Sequence, residues 1–442
     1  MLKVVKFGGS SLASGENFAK VKNIINADKS RAVVVVSAPG KRFSGDTKVT
    51  DLLYILHAHI KYNAPFDDVF EKIAERYKAI AETCALKQDI DAELNAIKAN
   101  LNKKTSVDYI VSRGEYLNAK LMAEYLGFTF VDSADWLIFD YNGKVNFDKS
   151  YENLAAIVAK NKKIVVPGFY GSMLDGGVKT FSRGGSDITG AIAAAAIDAD
   201  MYENWTDVSG IMAVDPRIVA NPRPIEKVTF AELRELSYMG AEVLHEETVF
   251  PVRSKNIPLY IKNTNDMTAP GTLVMESFDE TEEEKKSHFI TGISGKKHYS
   301  IITIAKNRMN EELGYIRKTL EVFEKLGISI EHIPSSIDSF SIIVASADIE
   351  PHLHELITRI NEKVAPDSIK IANDISLIAI VGRKLASNIG ISGKIFTALG
   401  NNDINIRVIE QGADELNIIV GVDDKDYAKT IKVLYNLSEV EE

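Results

Sequence analysis

The segment VVKFGGSSLAS, residues 4–14, places a β-branched run directly before two glycines and three serines. This order is typical of a buried strand, a tight turn and the capped start of a helix, where backbone N–H groups and a positive helix end can face a phosphate. Lys6 stands just before the glycines and adds a cation to the turn. The alternative is an ordinary tight turn with a surface lysine. The segment therefore predicts an α/β fold with a candidate phosphate site.

Further strand-like runs alternate with helical stretches along the first part of the chain. They include RAVVVVSA, which starts at Arg31, and KIVVPGF, which starts at Lys163. This alternation predicts an αβα sandwich around a mainly parallel sheet. Residues 51–102 carry apolar positions at helical spacing, so we expect a helical excursion from the sheet there.

The composition restricts the kind of protein and its partners. A chain of 442 residues is too long for one ordinary core and predicts two or three domains. The formal net charge of −10, with no long basic run, argues against a nucleic-acid partner and favours a small molecule. The single cysteine excludes an internal disulfide and a cysteine-built zinc site. No apolar run is long enough for a signal peptide or a membrane span, so we expect a cytoplasmic protein.

The last third of the chain repeats itself. The segments that begin at Tyr299 and Ile375 align without a gap at an offset of 375 − 299 = 76 residues, and Gly314 falls on Gly390. Each copy predicts a strand, a glycine loop, an amphipathic helix, a strand, a turn and a strand. Agreement in both glycine and apolar positions argues against chance similarity. The glycine that opens each helix leaves backbone amides for a small anion such as an amino-acid carboxylate.

These patterns divide the chain into predicted domains. We expect a first domain over residues 1–280 and a charged, solvated linker over 281–290. Two small α+β units of βαββαβ type are then expected over 291–370 and 371–442.

Several well-known site motifs are missing. The chain contains no GxxxxGK[ST], no GxGxxG, no HRD with DFG and no HExxH. The P-loop, Rossmann, protein-kinase and zincin classes therefore lose their support, and no metal-ligand set is predicted.

Charged residues recur in turns that carry glycine or hydroxyl groups. FSRGGSDITGA, residues 181–191, sets Arg183 and Asp187 on either side of two glycines. YIVSRGEYLNAKLMA, residues 109–123, is expected to place Glu115 where a strand turns into a helix. Singly, such carboxylates are more often caps or surface charges. Together, turns of this kind after several strands predict one site at the carboxyl edge of an α/β sheet.

At this point the chain resembles a known family. KFGGSSLA, VVVVSAPGK, SRGE, GFYG, FSRGGSDITGA, WTDVSGI, DPR and GAEVLH occur in this order and are followed by paired repeats. The set is similar to that of aspartate kinases in the amino-acid kinase superfamily, and the repeats resemble ACT domains. The resemblance covers essentially the whole chain. It implies phosphorylation of the L-aspartate side chain by ATP with Mg²⁺, giving 4-phospho-L-aspartate for lysine, threonine and methionine synthesis. The chain ends just after the second repeat, so we expect a monofunctional enzyme.

The resemblance also implies roles for individual residues. Lys6 and Asp187 would be catalytic, and Arg183 would pair with the α-carboxylate of aspartate. Glu115, together with Asp187, would take its ammonium. The remaining substrate-binding residues would be Thr50, Gly184, Gly185 and Ser186. A carboxylate acceptor is already ionised at neutral pH, so the reaction needs no general base.

The nucleotide would lie on the glycine turn. The implied nucleotide-binding residues are Lys6, Gly8, Gly9, Ser10, Thr206, Asp207, Met212, Arg217 and Glu242. Two of them depart from the family pattern. Glu242 stands where the family usually has a lysine, and Met212 replaces a common tyrosine.

The repeats imply regulation by an amino acid and at least a homodimer. The expected effector contacts are Glu312, Gly314, Tyr315, Ile316, Ser336 and Asp338. The acidic side chain of Asp338 favours L-lysine over threonine as the effector. The alternative is that these loops only stabilise a dimer, with Asp338 capping a turn.

Two other functions stay open at the level of sequence. One is a different amino-acid kinase with a carboxylate acceptor, such as a glutamate or acetylglutamate kinase. The other is a catalytically weak amino-acid sensor in which the kinase domain is a scaffold; Glu242 is its support.

Overall fold

The computed structural model describes residues 1–182, 184–241, 244, 246–279, 289–385, 388–412 and 416–439. The chain forms two compact units. The first consists of Met1–Ile211, Pro224–Ala231 and Val243–Phe278, and the second of Met212–Arg223, Glu232–Glu242 and Asp279–Glu442. Residues 212–223 and 232–242 thus group with the second unit although they precede residue 280, and the domain boundaries expected from the sequence stay predictions.

The first unit is built on an eight-stranded sheet with the order β11-β13-β12-β8-β1-β2-β5-β3. Its strands are β1 Lys3–Phe7, β2 Arg31–Val36, β3 Thr129–Phe130, β5 Ile164–Pro167, β8 Met201–Thr206, β11 Lys227–Thr229, β12 Leu259–Asn263 and β13 Thr272–Met275. Shorter strands are β4 Ile138–Phe139, β6 Tyr170–Met173, β7 Val178–Thr180, β9 Ile211–Met212 and β10 Pro224–Ile225. Neighbours from β12 through β8, β1, β2 and β5 to β3 are parallel, and β13 runs antiparallel to β12. The predicted mainly parallel sheet is confirmed.

Helices α5 Val107–Leu126 and α7 Gly185–Ala196 pack against this sheet. The other helices of this part of the chain are α1 Gly15–Ala27, α2 Val49–Lys61, α3 Asp67–Thr83, α4 Ile90–Ala99, α6 Phe147–Lys160, α8 Phe230–Tyr238 and α9 Glu246–Ser254. Phe7 and Val36 share one core with residues of α1–α5, such as Phe18 and Leu117. Side chains alternate along a strand, so Val35 faces the opposite side, where α7 packs on β1, β2 and β8. Every residue of β2 is buried, as a strand covered on both faces requires.

Local sequence sets the ends of the helices near the glycine turn. Residues Gly9–Leu12 form one 3₁₀ turn, and α1 begins only afterwards, where the Ser14 hydroxyl accepts the backbone N–H of Asn17 at 3.4 Å. The helical segment expected over 51–102 is occupied by α2, α3 and α4. Among the residues that the structure describes, none of the helices is long and apolar enough to cross a lipid bilayer.

The second unit contains a five-stranded sheet with the order β15-β14-β16-β18-β17. The strands are β14 Gly292–Ala305, β15 Ser339–Ala345, β16 Ser368–Val381, β17 Ile406–Gln411 and β18 Asn417–Asp423. The helices are α10 Tyr315–Lys325, α11 Ser346–Ile349, α12 Leu353–Val364, α13 Ile391–Asn401 and α14 Tyr427–Glu439. Neighbouring strands are antiparallel throughout.

The two sequence repeats share this one sheet. Tyr299 of β14 lies opposite Ile375 of β16, so the two starting points of the repeats are paired residues. Helices α10 and α12 close an apolar core around Phe323 and Ile342 of the first repeat. The strand expected between α10 and β15 is reduced to two isolated bridges, at His332 and Ser335. The two predicted α+β units are confirmed as parts of a continuous antiparallel sheet.

Candidate active site

An open cleft of about 660 Å³ lies at the carboxyl ends of four neighbouring strands, β8, β1, β2 and β5. Turns that follow these strands meet there because parallel strands end at the same edge of a sheet. The lining residues are Gly8, Gly9, Ser10, Ser37, Ala38, Pro39, Gly40, Lys41, Phe43, Ser44, Lys48, Thr50, Glu115, Phe169, Gly184, Gly185, Ser186, Asp187, Thr206 and Asp207. The edge site expected from the sequence therefore contains groups from widely separated parts of the chain.

Lys6 and Asp187 form the charged centre of the cleft. Lys6 is the fourth residue of β1, is only 7% exposed, and its Nζ lies 2.5 Å from Asp187 Oδ1. The Asn204 side-chain amide donates to the same Asp187 oxygen at 2.7 Å. Asn204 lies on β8, directly beside Lys6 in the sheet register. The two predicted catalytic residues are thus brought together, and an uncharged neighbour holds the carboxylate in place.

Helix α7 directs its N-terminus at the cleft. Gly184 precedes it in the left-handed region at φ 58°, and the helix begins at Gly185. A Cβ atom at Gly185 would lie 2.6 Å from the Phe169 ring, so only glycine fits there. The N–H groups of a first helical turn have no partner within the helix, and the helix dipole is positive at this end. The Gly184–Gly185 pair therefore presents bare backbone to an anionic ligand.

The sequence predicted that Glu115 lies where a strand turns into a helix, and the structure places it elsewhere. It sits in the middle of the twenty-residue helix α5 and is 4% exposed. Gly114 suggested a turn, but its absent side chain serves packing. A Cβ atom there would lie 2.9 Å from Ala38 Cβ and 3.0 Å from Leu53 Cδ1. The expectation was wrong in secondary structure, although Glu115 does line the cleft.

The environment of Glu115 disfavours its charge. Burial is the main cause that raises the pKa of its carboxyl group to about 8, and a backbone hydrogen bond from Ala38 only partly opposes this. Its Oε2 atom is buried, and the described part of the chain offers it no hydrogen-bond partner. A carboxyl group of this kind gains most from a cation that enters the cleft.

The predicted Thr50, Thr206 and Asp207 also reach the cleft. Thr50 lies in the first turn of α2, and Thr206 ends β8. The Thr206 hydroxyl donates to Asp207 at 3.1 Å. These side chains supply hydroxyl and carboxylate oxygens to the cleft.

Other predicted nucleotide residues stand elsewhere. Met212 ends β9, and Arg217 pairs with Asp215 at 2.7 Å; both belong to the second compact unit. Arg183 and Glu242 lie outside the described residues. The roles proposed for these four residues stay predictions.

The turn after β2 was missed as a source of site residues. Residues 37–41 and 43, 44 and 48 line the cleft, yet only the neighbouring Thr50 was singled out. The signal was present: SAPGK follows a buried strand with proline, glycine and lysine, as FGGSS follows β1 with glycine and serine. Asn118, which donates to the Ser37 carbonyl at 2.7 Å, was missed as well.

The predicted effector residues lie in the second unit. Gly314 adopts φ 75° before α10, and Glu312 accepts from Lys318 at 3.4 Å. Tyr315 is buried, and none of the residues that the structure describes forms a hydrogen bond with its hydroxyl. Asp338 is exposed, and its Oδ1 accepts the Arg308 backbone N–H at 2.9 Å.

The other two effector residues have different surroundings. Ile316 packs against the core of the first repeat. Ser336 is exposed, and its backbone N–H donates to Ser339 at 2.7 Å.

Comparison with known proteins gives a consistent result. Residues 1–263 match the amino acid kinase family, and residues 378–437 match an ACT domain. Aspartokinase 3 of Bacillus subtilis is 37% identical over 449 residues, which cover 98% of each chain. The solved aspartate kinase of Clostridium acetobutylicum is 47% identical with a TM-score of 0.90, and 99% of each chain is covered. E. coli aspartokinase III in complex with lysine and aspartate is 25% identical with a TM-score of 0.73, again over 99% of each chain.

Proposed function

The chain belongs to the aspartokinases of the amino acid kinase family, and on this premise we propose the reaction and the residues that carry it. The enzyme transfers the γ-phosphoryl group of MgATP to the side-chain carboxylate of L-aspartate. The product is 4-phospho-L-aspartate, a precursor for lysine, threonine and methionine. The catalytic part is residues 1–280, and residues 291–370 and 371–442 are regulatory ACT units.

The chemistry requires charge neutralisation more than proton transfer. The acceptor carboxylate has a pKa of about 4 and is ionised at neutral pH, so it attacks without a base. In phosphoryl transfer the protein mainly positions the reactants and stabilises charge on the transferred group. Lys6 is the residue for this task. Its ammonium, held by Asp187 in the free enzyme, turns to the phosphoryl oxygens when the donor enters.

Other residues of the cleft hold the α-ammonium and α-carboxylate groups of aspartate. Glu115 Oε2, which has no hydrogen-bond partner among the described residues, accepts a hydrogen bond from the substrate ammonium. The positive charge of the substrate favours the ionised carboxylate that burial disfavours. Arg183 pairs with the α-carboxylate, and the backbone at Gly184 and Gly185 lets the substrate approach. Thr50, which also lines the cleft, donates its hydroxyl to the substrate.

Magnesium arrives with the nucleotide as part of the substrate. Mg²⁺ prefers carboxylate and phosphate oxygens and keeps several waters. Asp187 and Asp207 are the carboxylates of the cleft that fit this role beside the nucleotide phosphates. The nucleotide itself rests on the turn of Gly8, Gly9 and Ser10.

The observation that carries the proposal is the meeting of the Lys6–Asp187 pair, Glu115 and two glycine turns in one cleft. The test is a coupled assay of ADP release with L-aspartate, L-glutamate and N-acetyl-L-glutamate as acceptors. We expect turnover with aspartate at least a hundredfold above that with either other acid. Equal turnover with glutamate would show that the enzyme is not specific for aspartate. ADP release that does not depend on any acceptor would show that the protein is not an amino-acid kinase.

The second unit is the regulatory part of the proposal. L-Lysine binds near Asp338 and Glu312, between two copies of the chain, and lowers the activity. The lysine complex of E. coli aspartokinase III supports lysine as the effector. Inhibition curves with lysine and threonine, together with the molecular mass in solution, test this. Inhibition by threonine alone, or a monomer at micromolar concentration, would contradict it.

A further inference from the structure

A loop between β2 and α2 forms one wall of the cleft. We call it the cleft loop; it comprises residues 40–48, GKRFSGDTK. The Val49 N–H donates to the Pro39 carbonyl at 3.1 Å and closes the loop at its base. Inside it, the Asp46 N–H donates to the Phe43 carbonyl at 3.0 Å. The cleft loop is therefore a closed unit with a defined turn.

A buried arginine from α3 ties this loop to the helical part. Arg76 is 4% exposed and donates to Asp46 Oδ2 at 3.0 Å. It also donates to the Thr47 carbonyl at 3.2 Å and to the Gly40 carbonyl at 2.5 Å. Asp46 in turn binds Arg42 through two side-chain hydrogen bonds, at 2.8 and 3.1 Å. One guanidinium thus fixes both ends of the loop.

The start of the loop is also locked to the glycine turn after β1. The Gly40 N–H donates to the Gly9 carbonyl at 2.8 Å. A Cβ atom at Gly40 would lie 2.6 Å from the Gly9 carbonyl carbon and 2.7 Å from the Ser10 nitrogen. The cleft loop therefore keeps a fixed position against the turn that receives phosphate in the proposed function.

Two of the carbonyls that Arg76 binds, those of Gly40 and Thr47, belong to the residues directly before Lys41 and Lys48. Both lysines line the cleft and are exposed. Within the described residues neither ammonium has an ion-pair or hydrogen-bond partner, whereas Lys6 is already paired with Asp187. Arg76 thus holds the backbone that presents two unpaired cations to the cleft.

The charges of the cleft make these cations necessary for a polyanion. Among the described lining residues the cations are Lys41 and Lys48 and the carboxylates are Asp187 and Asp207, while Lys6 pairs with Asp187 from β1. Burial raises the pKa of the third acidic side chain, Glu115, to about 8, so it carries little charge at neutral pH. Without the cleft loop, the described residues would offer a polyanion only the Lys6 ammonium, which is already paired with Asp187, and the cleft would attract a nucleoside triphosphate less strongly.

We propose that Lys41 and Lys48 form a second phosphate-binding element for the β- and γ-phosphates of the nucleotide, and that Arg76 is the positioning residue of this element. The inference rests on the proposed function for the identity of the nucleotide. It assigns the loop a task in donor binding and none in aspartate binding.

The direct test replaces both lysines. Lys41→Ala with Lys48→Ala should raise the dissociation constant of MgADP, measured by calorimetry, and the KM of MgATP by about tenfold or more, since two charge-assisted contacts are lost. The KM of aspartate and the affinity for AMP should change less than twofold. Lys29→Ala, which removes an exposed lysine outside the cleft, is the matched control and should change neither constant. Unchanged MgADP affinity in the double variant, or a rise in the aspartate KM alone, would overturn the proposal.

The role of Arg76 is tested by non-additivity. Arg76→Met should raise the KM of MgATP in the wild-type background and add little to the double lysine variant, because both changes remove the same contacts. If Arg76 has only a structural role, Arg76→Met should raise the KM of MgATP by the same factor in the wild type and in the double lysine variant. That result would overturn the positioning role. If Arg76→Met does not fold, Asp46→Asn tests the same tie with a matched shape. A protein that binds MgADP through the lysines but does not phosphorylate aspartate would refute the proposed function and leave this element standing.

Discussion

Replacing Glu115 by glutamine should stabilise the free protein and weaken aspartate binding at the same time. Glutamine keeps the shape and the hydrogen bond from the Ala38 backbone but cannot carry a charge. The Oε2 atom is buried and has no hydrogen-bond partner in the described ranges, which indicates that the ionised carboxylate destabilises the free protein and is useful only with a cationic ligand. Opposite effects on stability and on binding separate this role from a purely structural one.

The size of the stability effect follows from the pKa. The ordinary pKa of a glutamate is 4.5, and burial raises that of Glu115 to about 8. Between these values the folded protein holds one proton more than the unfolded chain, so the free energy of unfolding falls as pH rises. This loss of unfolding free energy is complete above about pH 8 and is on the order of 5 kcal/mol. Glu115→Gln removes this slope. The melting temperatures of variant and wild type should agree near pH 5, and the variant should melt several degrees higher at pH 8.5.

The binding effect is set by the lost charge. A hydrogen bond to a charged partner contributes about 1.5–3 kcal/mol, which corresponds to an aspartate KM raised by about 10- to 150-fold. The KM of MgATP should stay within twofold. Melting curves over pH and steady-state kinetics at pH 8 measure both effects. A variant that melts lower than wild type at pH 8.5, or one in which both KM values rise equally, would refute this account of Glu115.

Three further substitutions have defined outcomes. Lys6→Met should lower kcat by at least a thousandfold with the melting temperature nearly unchanged, since the lysine acts on charge in the transition state; kcat within tenfold of wild type would contradict this. Gly40→Ala should lower the melting temperature and weaken MgADP binding, because the new methyl group meets the Gly9 backbone at 2.6 Å; a variant with wild-type melting and binding would show that the two turns move freely. Asp338→Ala should relieve inhibition by lysine and cost about 1 kcal/mol of stability, since the Arg308 N–H loses its acceptor; full inhibition in this variant would exclude Asp338 from the effector site.

Much of the fold could be predicted from the sequence because its signals are local. Buried β-branched runs such as β2 and the glycine turn after β1 indicated the sheet and the position of the cleft. The gapless repeat predicted two related units, and the pairing of Tyr299 with Ile375 shows why the register matches. Signals within a few residues of each other were sufficient for these predictions.

The failures have a common physical cause, which is packing between distant segments. Gly114 suggested a turn because glycine is rare inside helices, yet the close approach of Ala38 and Leu53 requires it there. No local pattern could indicate that approach. The irregular strand before β15 did have a local signal. Pro334 has no N–H to donate to a neighbouring strand, so the sequence could have predicted that regular strand pairing would be interrupted there.

The cleft loop shows the same limit for the site. Its lysines are ordinary surface residues by sequence, and only the contacts of Arg76, some thirty residues away, give them a fixed direction. A contact between residues so far apart in the sequence cannot be predicted from hydrophobic periodicity or motif spacing. Residues that position other residues, such as Arg76, could therefore not be predicted from the sequence. Residues proposed for the chemistry could be predicted, because glycine-containing turns stand close to them in the sequence.

The most direct test of the central claim is to trap the acyl phosphate. The protein is incubated with MgATP, L-aspartate and hydroxylamine, which converts a phosphorylated carboxylate to a hydroxamate. We predict aspartyl hydroxamate in amounts equal to the ADP released, and none with Lys6→Met or without nucleotide. ADP release without hydroxamate, or a hydroxamate formed equally well from glutamate, would contradict the assignment of this cleft to aspartate phosphorylation.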